Sequence, residues 1–355
     1  MKDLTLLIKP AAGLCNMDCG YCFYKTASET RENRIMTRET AGRLIEKIGE
    51  ENPSHLQLIF QGGEPTLAGL EFYAYFTEKV RETLQADAAY SIQTNGLNVD
   101  GKTARFYRDN DFLVGVSLDG GRKTNDRYRR DKNGNSVLPQ VLTAIALLER
   151  YGVPYNILSV VDNENAAEID ATYAYFKKHG FYNLQFIPYV DERAGISLSA
   201  AAYEAFLKRL FDLWYDDFDP DDMIQIRHLN NYIDILAGYP PENCAMCGVC
   251  GGYFVVEANG DLYPCDFYCR PEDRIGSIFD ERPFAMGEKQ KRFIEESLII
   301  RETCKHCKYY SLCRGGCKRD RIDGLTKNRY CEAYYNFFDY ALERLVKVVN
   351  RLQNA

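Results

Sequence analysis

The chain has 355 residues, of which 46% are hydrophobic and 27% are charged, and its net charge is −7. This composition is typical of a folded protein with a large apolar core, and the acidic balance does not favour nucleic acid or an acidic membrane surface as a partner. No apolar stretch approaches the ~20 residues of a membrane-spanning helix, and Met1-Lys2-Asp3 leads into an apolar run without the layout of a signal peptide. We therefore expect a cytoplasmic protein without nucleic-acid or membrane partners.

Short runs of β-forming residues alternate with amphipathic stretches over roughly the first 215 residues. Six strands are predicted, at Leu4–Ile8, Leu56–Phe60, Tyr90–Thr94, Phe112–Leu118, Tyr155–Val161 and Asn183–Ile187. One predicted helix begins after Thr37, a good N-cap residue, and another runs from Ala166 to Lys178 and ends before Gly180. Repeated strand-then-helix units favour parallel strands with right-handed crossovers. We therefore predict an α/β fold, a partial (β/α)6 TIM-like barrel.

The pattern changes after one more predicted helix at 200–216. From about residue 236, glycine, cysteine and tyrosine become frequent and the apolar runs shorten. Phe254–Glu257 and Leu262-Tyr263, joined through Asn259-Gly260, predict a β-hairpin with a type I′ turn. Tyr334 to Leu352 predicts a closing helix with one apolar face. We therefore place the barrel at 1–235 and a small cysteine-rich domain, with the hairpin and the closing helix, at 236–355.

Three cysteines directly follow the first predicted strand. Cys15, Cys19 and Cys22 are spaced so that their thiolates can hold three irons of a cubic 4Fe–4S cluster, which leaves the fourth iron open to another ligand. A zinc site lacking one ligand is the alternative, although the four histidines include no obvious fourth ligand. Polar or glycine-rich segments also follow the second, third and fourth predicted strands, where a barrel carries its active site.

Ten further cysteines lie between residues 244 and 331. In a compartment that keeps thiols reduced, this number argues for bound metal, and the odd total of 13 disfavours a pure disulfide framework. Four thiolates suit zinc as well as an iron–sulfur cluster, so zinc ribbons are the alternative interpretation.

Two motifs carry a resemblance to a known family. The CxxxCxxC spacing followed by Phe23, and the run Gly62-Gly63-Glu64-Pro65, resemble the radical S-adenosylmethionine (SAM) superfamily. The resemblance implies that the cluster reduces bound SAM to release a 5′-deoxyadenosyl radical, which takes hydrogen from an unactivated carbon. It implies SAM contacts by Tyr21, Gly62, Gly63, Glu64, Ser117, Arg129 and the backbone of Val190. Arg129 would hold the methionyl carboxylate, Gln61 would face substrate, and Asn125 stands where related enzymes often carry histidine.

The C-terminal cysteines resemble the SPASM domain, which holds two auxiliary 4Fe–4S clusters. Over nearly the whole chain the resemblance is strongest to anaerobic sulfatase-maturating enzymes, carried by runs such as 6–10, 22–24, 60–69 and 263–268. It implies that one auxiliary cluster is bound by Cys244, Cys250, Cys265 and Cys317, and the other by Cys304, Cys307, Cys313 and Cys331. Cys247 and Cys269 stay unassigned, and Cys247 could replace Cys250. Asp266 would be the base that deprotonates the substrate thiol or hydroxyl.

The implied function is oxidation of a cysteine or serine in a sulfatase segment, C/S-x-P/A-x-R, to Cα-formylglycine. An electron donor such as ferredoxin or flavodoxin would be a second partner. One alternative is a SPASM enzyme that forms thioether or other cross-links in a small ribosomal peptide. Many of those carry a peptide-recognition domain before the barrel, for which about fourteen residues before Cys15 leave no room. A multi-cluster electron carrier is the alternative of another class, although a carrier needs no cofactor pocket.

Overall fold

A computed structural model of the protein describes residues 3–25, 33–190, 195–322, 324 and 326–353. The strands, numbered in chain order, are β1 Asp3–Ile8, β2 His55–Phe60, β3 Asp87–Thr94, β4 Phe112–Ser117, β5 Tyr155–Val161, β6 Asn183–Pro188, β7 Gln225–Ile226, β8 Phe254–Val256, β9 Asp261–Tyr263, β10 Gly276–Ser277, β11 Arg321–Ile322 and β12 Lys327–Asn328.

The α-helices cover Arg38–Glu51, Leu70–Thr83, Gly101–Asp109, Arg122–Tyr128, Leu138–Tyr151, Asn163–Ala167, Ile169–Lys178, Ala200–Asp216, Arg227–Leu236, Glu288–Ser297, Glu302–Lys305, Tyr310–Cys313 and Cys331–Gln353. Short 3-10 turns lie at Pro65–Ala68, Cys244–Met246, Asp266–Tyr268, Pro271–Asp273 and Lys318–Asp320. Among the described residues, none of the helices combines the length and the apolar composition that spanning a bilayer requires.

The chain divides into two compact units. The first comprises Met1–Ser117, Arg129–Tyr155 and Gly251–Phe293, and the second comprises Leu118–Tyr128, Asn156–Cys250 and Ile294–Ala355. The division of the sequence into domains at 235/236 stays a prediction.

In the first unit, β1 to β4 pair in parallel in chain order. On the other side of β1 lies β8, also parallel, followed by β9 and β10 in antiparallel pairing. Its interior includes Phe60, which makes edge contacts with Tyr73 and Phe76 at ring-centroid distances of 5.1 and 5.2 Å. The pairing of β8 with β1 brings the hairpin of the cysteine-rich segment beside the strand that precedes Cys15.

In the second unit, β5, β6 and β7 pair in parallel. The helices Ala200–Asp216 and Cys331–Gln353 pack against each other. Phe211 meets Phe337 edge-on at 5.9 Å, and the Trp214 indole N–H donates to the carbonyl of Ile224 at 2.8 Å. Of the predicted apolar face of the last helix, Phe338, Ala341, Leu345 and Val349 are buried, whereas Leu342 and Leu352 are only partly buried.

All six predicted strands are present, with ends that differ by up to three residues. Thr37 caps its helix by accepting a hydrogen bond from the Thr40 N–H. The predicted helix 166–178 is instead two helices that meet at Glu168. Its carboxylate bonds to Thr124 and Arg127, and this position ends the first helix. The last helix begins at Cys331, three residues before its predicted start.

The type I′ turn predicted for the hairpin is wrong. That turn needs positive φ at both central residues, and of Asn259 and Gly260 only Gly260 has it, at 88°. The Asn259 side chain instead accepts a hydrogen bond from the Asp261 N–H at 3.0 Å, while the Gly260 N–H donates to the Glu257 carbonyl at 2.8 Å. An asparagine side chain can accept a hydrogen bond from the backbone N–H two residues later in the chain. Asn259 does so while its own φ stays negative, and the turn is longer than the predicted one.

Candidate active site

The first thiol site is the loop that follows β1. Cys15, Cys19 and Cys22 are partly buried free thiols, and the Cys22 N–H donates to the Cys19 carbonyl at 3.2 Å. Burial raises the pKa of the Cys15 thiol to about 11, although a hydrogen bond from the Met17 N–H lowers it. The neighbouring Cys19 and Cys22 thiols raise the pKa further. The loop therefore brings the three predicted ligands of the radical cluster within electrostatic reach of one another.

The glycine pair of the GGEP run lies directly against this loop. The Gly63 N–H donates to the Ala12 carbonyl at 2.8 Å, and the Glu64 N–H donates to the Leu14 carbonyl at 2.7 Å. A Cβ on Gly63 would lie 2.1 Å from the Leu14 oxygen, and one on Gly62 would lie 2.8 Å from the Ala12 oxygen. Only glycine permits this approach of two backbones, so the GGEP loop supports the segment that leads into Cys15.

The Glu64 carboxylate is buried and connects two loops. Its oxygens accept hydrogen bonds from the Thr66 N–H at 3.1 Å, the Thr94 hydroxyl at 2.8 Å and the Asn95 N–H at 2.7 Å. Burial raises the pKa of Glu64, and these hydrogen bonds oppose the rise. The carboxylate therefore joins the end of β3 to the GGEP loop, and a contact between Glu64 and the cofactor stays a prediction.

Asn95, which sequence reasoning did not single out as a site residue, contacts the first thiol. Its side-chain amide donates to the Asn16 side chain at 2.7 Å and lies 3.8 Å from the Cys15 sulfur. Hydrogen bonds to ligand sulfurs are one means by which proteins tune iron–sulfur clusters. The available signal was its position in Thr94-Asn95-Gly96, directly after β3.

Two predicted cofactor-binding residues lie together beside Cys22. Arg129 is 5% exposed, and it donates to the Tyr21 hydroxyl at 3.1 Å. Burial raises the pKa of the Cys22 thiol, and the Arg129 charge is close enough to act in the opposite direction. Ser117 lies at the end of β4, where its hydroxyl accepts a hydrogen bond from Gln93 at 2.9 Å.

Val190 and Asn125 belong to the second unit. The Val190 carbonyl accepts a hydrogen bond from Arg329 at 3.4 Å, and the neighbouring Tyr189 carbonyl accepts one from the Tyr330 hydroxyl at 2.9 Å. Asn125 is fully buried, and its side chain accepts from the Asp119 N–H at 3.4 Å. The predicted backbone contact of Val190 with SAM stays a prediction.

Asp266 lies in a buried polar network of the first unit. It is 4% exposed. Its Oδ2 accepts hydrogen bonds from the Tyr24 hydroxyl at 2.5 Å and the Gln61 amide at 3.2 Å. Its Oδ1 lies 2.7 Å from Nζ of Lys9, which is itself 3.2 Å from the Glu257 carboxylate. Burial and Asp266 together hold the pKa of Tyr24 well above its usual value, so this phenol stays protonated and donates.

The network adjoins the radical-cluster loop. Phe23 follows Cys22 and packs on Phe267 with ring centroids 4.9 Å apart, while Tyr24 bonds to Asp266. Two consecutive residues of the cluster loop thus contact two consecutive residues of the segment 265–268. The predicted base is therefore beside the predicted radical cluster.

The second unit gathers four cysteines that the sequence assigned to one cluster. Burial raises the pKa of the Cys313 thiol to about 11, and Cys331, Cys304 and Cys307 are close enough to raise it further. Arg321 holds the adjoining loop, because its guanidinium donates to the carbonyls of Gly315 and Gly316 at 3.3 and 3.2 Å and to that of Ser297 at 2.6 Å. This ligand set stays a prediction that the observed grouping supports.

The other predicted auxiliary set is divided between the units, with Cys265 in the first and Cys244, Cys250 and Cys317 in the second. Cys244 and Cys250 interact electrostatically, and burial raises the pKa of both thiols. Cys247 also interacts with both. The choice between Cys247 and Cys250 therefore stays open, and this set stays a prediction.

Comparison with known proteins decides the family. A model of the radical SAM superfamily matches residues 11–176. A cysteine-type anaerobic sulfatase-maturating enzyme of Clostridium novyi (strain NT) is 39% identical over 99% of this chain and 99% of its own length. The chain belongs to the anaerobic sulfatase-maturating enzymes.

Two further comparisons agree with this assignment. A serine-type anaerobic sulfatase-maturating enzyme of Bacteroides thetaiotaomicron is 29% identical to this enzyme over 99% of this chain and 93% of its own. The solved structure of native anSMEcpe with bound AdoMet and Cp18Cys peptide matches with a TM-score of 0.92 and 39% identity, covering 98% of this chain and 99% of that one. The predicted fold class is confirmed, with a TIM-like radical SAM core and a C-terminal cysteine-rich domain.

The enzyme is a radical SAM oxidoreductase whose cofactors are SAM and 4Fe–4S clusters. Its thiol groups fit such clusters: three cysteines lie within electrostatic reach of one another in the loop after β1, and four do so in the second unit. Thiolates are the usual protein ligands of 4Fe–4S clusters.

Sequence reasoning missed Lys9 and Glu257 as members of the site. Lys9 is fully buried immediately after an apolar strand, and Glu257 is 6% exposed at the end of β8. The signal for both was a single charge next to an otherwise apolar strand, since buried charges occur in pairs. The ion pair between Lys9 and Glu257 forms because β8 lies beside β1, and local sequence does not indicate that strand order.

Proposed function

We propose that the enzyme oxidises a cysteine in a sulfatase segment of the form C-x-P/A-x-R to Cα-formylglycine. The relatives that are 38–39% identical over the whole chain are cysteine-type enzymes, whereas the serine-type relatives are 29–31% identical. The observation that carries the proposal is Asp266, a buried carboxylate held by three side chains and joined to the radical-cluster loop.

The reaction removes two electrons and two protons from the Cβ–Sγ unit of the substrate cysteine. One hydrogen leaves Cβ as an atom, the thiol proton goes to a base, and one electron goes to an acceptor, which together give a thioaldehyde. Water then replaces sulfur, releasing hydrogen sulfide and leaving the aldehyde. When bound, the cofactors supply a 5′-deoxyadenosyl radical that takes the hydrogen atom and an acceptor for the remaining electron.

Asp266 takes the thiol proton. A general base must lie within hydrogen-bond reach of the proton and in a fixed orientation. Tyr24 and Gln61 bond to Oδ2 at 2.5 and 3.2 Å, and Lys9 approaches Oδ1 at 2.7 Å, so both oxygens are held. Burial of this network excludes water from the base.

Other residues of the chain hold the cofactors. Cys15, Cys19 and Cys22 would hold the cluster that reduces SAM. Tyr21, Gly62, Gly63, Glu64, Ser117, Arg129 and Val190 contact SAM, and Arg129 places a guanidinium beside Cys22 that suits the methionyl carboxylate. The two auxiliary sets named above bind the remaining clusters. An electron donor of the ferredoxin or flavodoxin type reduces the enzyme, which works in the cytoplasm, where thiols stay reduced.

A peptide assay tests the proposal. The enzyme is reconstituted anaerobically and given SAM, dithionite and a peptide containing Cys-x-Pro-x-Arg, and mass spectrometry follows peptide and 5′-deoxyadenosine together. We expect an aldehyde at the cysteine, formed with 5′-deoxyadenosine. Asp266→Asn should lower kcat about 100-fold or more, whereas Asp261→Asn, which removes a β9 carboxylate that pairs with Arg274, should not.

Two results would contradict the proposal. Cleavage of SAM without any change in the peptide would favour another peptide substrate, such as one that becomes cross-linked. Absence of SAM cleavage with intact clusters would favour an electron carrier.

A further inference from the structure

Lys9 is a fully buried cation, with a side chain that is 0% exposed. Moving an ammonium group out of water costs several kcal/mol unless anions and hydrogen-bond acceptors surround it. The groups that surround the ammonium of Lys9 therefore offset this cost, and their identity indicates what the residue does.

The ammonium group of Lys9 is surrounded by groups of the Asp266 network. Its Nζ lies 2.7 Å from Oδ1 of Asp266, 3.2 Å from Oε1 of Glu257 and 3.3 Å from Sγ of Cys269. It also lies 4.9 Å from the centre of the Tyr24 ring. The ammonium group thus forms ion pairs with two carboxylates and donates a hydrogen bond to a thiol.

The backbone of Lys9 is fixed by two strands. Its N–H donates to the Val256 carbonyl at 2.9 Å, and the Gln61 N–H donates to the carbonyl of Ile8 at 2.9 Å. The ends of β1, β2 and β8 therefore set where the Lys9 side chain begins. By contrast, Asp266 lies in a single 3-10 turn, with little regular structure to hold its carboxylate.

We propose that Lys9 is a positioning residue for Asp266, an inference that rests on the proposed function. The ammonium group holds Oδ1, while Tyr24 and Gln61 hold Oδ2. Glu257 lies 3.2 Å from the same Nζ, so one ammonium group contacts both carboxylates. The Cys269 thiol is 1% exposed and accepts a hydrogen bond from Lys9. We therefore assign Cys269 to this network and not to a cluster.

Lys9→Met tests the inference, because methionine has a similar length and no charge. Displacement of a catalytic group by about 1 Å can cost about 100-fold in rate, so we expect kcat for peptide oxidation to fall by about that factor. KM for the peptide should stay within about twofold, and the iron content should equal that of wild type. The matched control is Lys47→Met, a second buried lysine, bonded to Glu50 and the Glu281 carbonyl, which should keep the wild-type rate.

A double variant separates position from charge. Lys9→Met leaves two buried carboxylates without their cation, and Lys9→Met/Glu257→Gln restores the net charge of the group while leaving Asp266 without its contact. We expect the double variant to stay as slow as Lys9→Met. Recovery of the wild-type kcat in the double variant, or a Lys9→Met rate within about threefold of wild type, would overturn the inference.

The wild-type enzyme tests the proposed function, and the Lys9 variants test the role of Lys9, so the two can fail separately. If wild type converts the peptide and Asp266→Asn does not, the base is established and the Lys9 variants decide the inference. If wild type forms no aldehyde, the proposed function fails and the inference fails with it. If Lys9→Met does not retain its clusters, Lys9→Gln, which keeps a donor, replaces it, with at least a 10-fold loss of kcat expected.

Discussion

Replacing Gly63 with alanine should separate the GGEP loop from the segment that carries Cys15. The added Cβ would lie 2.1 Å from the Leu14 oxygen and 2.6 Å from the Gly13 carbonyl carbon. Both are backbone atoms, so the GGEP loop and the segment that leads into Cys15 must move apart by roughly 1 Å. The hydrogen bonds from the Gly63 and Glu64 N–H groups, at 2.8 and 2.7 Å, would then be lost.

The expected cost combines two effects. Overpacking of a close contact costs about 1–3 kcal/mol, and each lost hydrogen bond costs about 1 kcal/mol. We therefore expect a loss of about 3–5 kcal/mol in the free energy of unfolding, with poor retention of the cluster bound by Cys15. Anaerobic urea unfolding and iron per chain after reconstitution measure both quantities.

A graded series controls for the substitution itself. Gly62→Ala, with a Cβ contact of 2.8 Å and φ of 137°, should also be impaired, whereas Gly287→Ala, with no heavy atom within 4 Å, should resemble wild type. A Gly63→Ala enzyme with full iron content and a stability within about 0.5 kcal/mol of wild type would refute the reasoning.

Three further predictions concern residues outside the radical-cluster loop. Cys269→Ser should retain the wild-type iron content, whereas Cys313→Ser should lose about a third of it; equal losses would contradict the assignment of Cys269 to the Lys9 contact. Arg321→Met should speed iron release to a chelator about tenfold, because the Gly315 and Gly316 carbonyls each lose the hydrogen bond from the guanidinium; an unchanged rate would refute that role. Burial lowers the pKa of His228 to about 4, so the unfolded chain takes up a proton that the folded chain does not, and stability falls as pH falls from 6.5 towards 4. Unfolding midpoints should show a loss of about 2 kcal/mol between pH 7 and pH 5 that is absent in His228→Phe.

Periodicity and motif position predicted the parts of the fold that local sequence determines. The strand Tyr155–Val161 has its predicted ends, and Thr37 caps the following helix as its hydroxyl chemistry predicts. Cys15, Cys19 and Cys22 lie in one loop, as their spacing predicts. These features depend on residues close together in the chain.

The features that sequence reasoning missed depend on long-range pairing. Lys9 and Glu257 meet because β8 lies beside β1, a pairing between segments about 250 residues apart. Asn95 reaches Cys15 because β3 ends near the cluster loop. Even the hairpin turn was decided by one side-chain hydrogen bond, from the Asp261 N–H to Asn259, that a dipeptide rule does not contain.

The most direct test of the account follows the hydrogen that leaves the substrate. The substrate is a Cys-x-Pro-x-Arg peptide in which deuterium replaces both Cβ hydrogens of the cysteine. The enzyme converts it in ordinary water, and mass spectrometry measures the deuterium content of the 5′-deoxyadenosine. We predict that 5′-deoxyadenosine gains one deuterium for each formylglycine formed. Formylglycine accompanied by unlabelled 5′-deoxyadenosine would show that the radical does not take the Cβ hydrogen, and would contradict the proposed reaction.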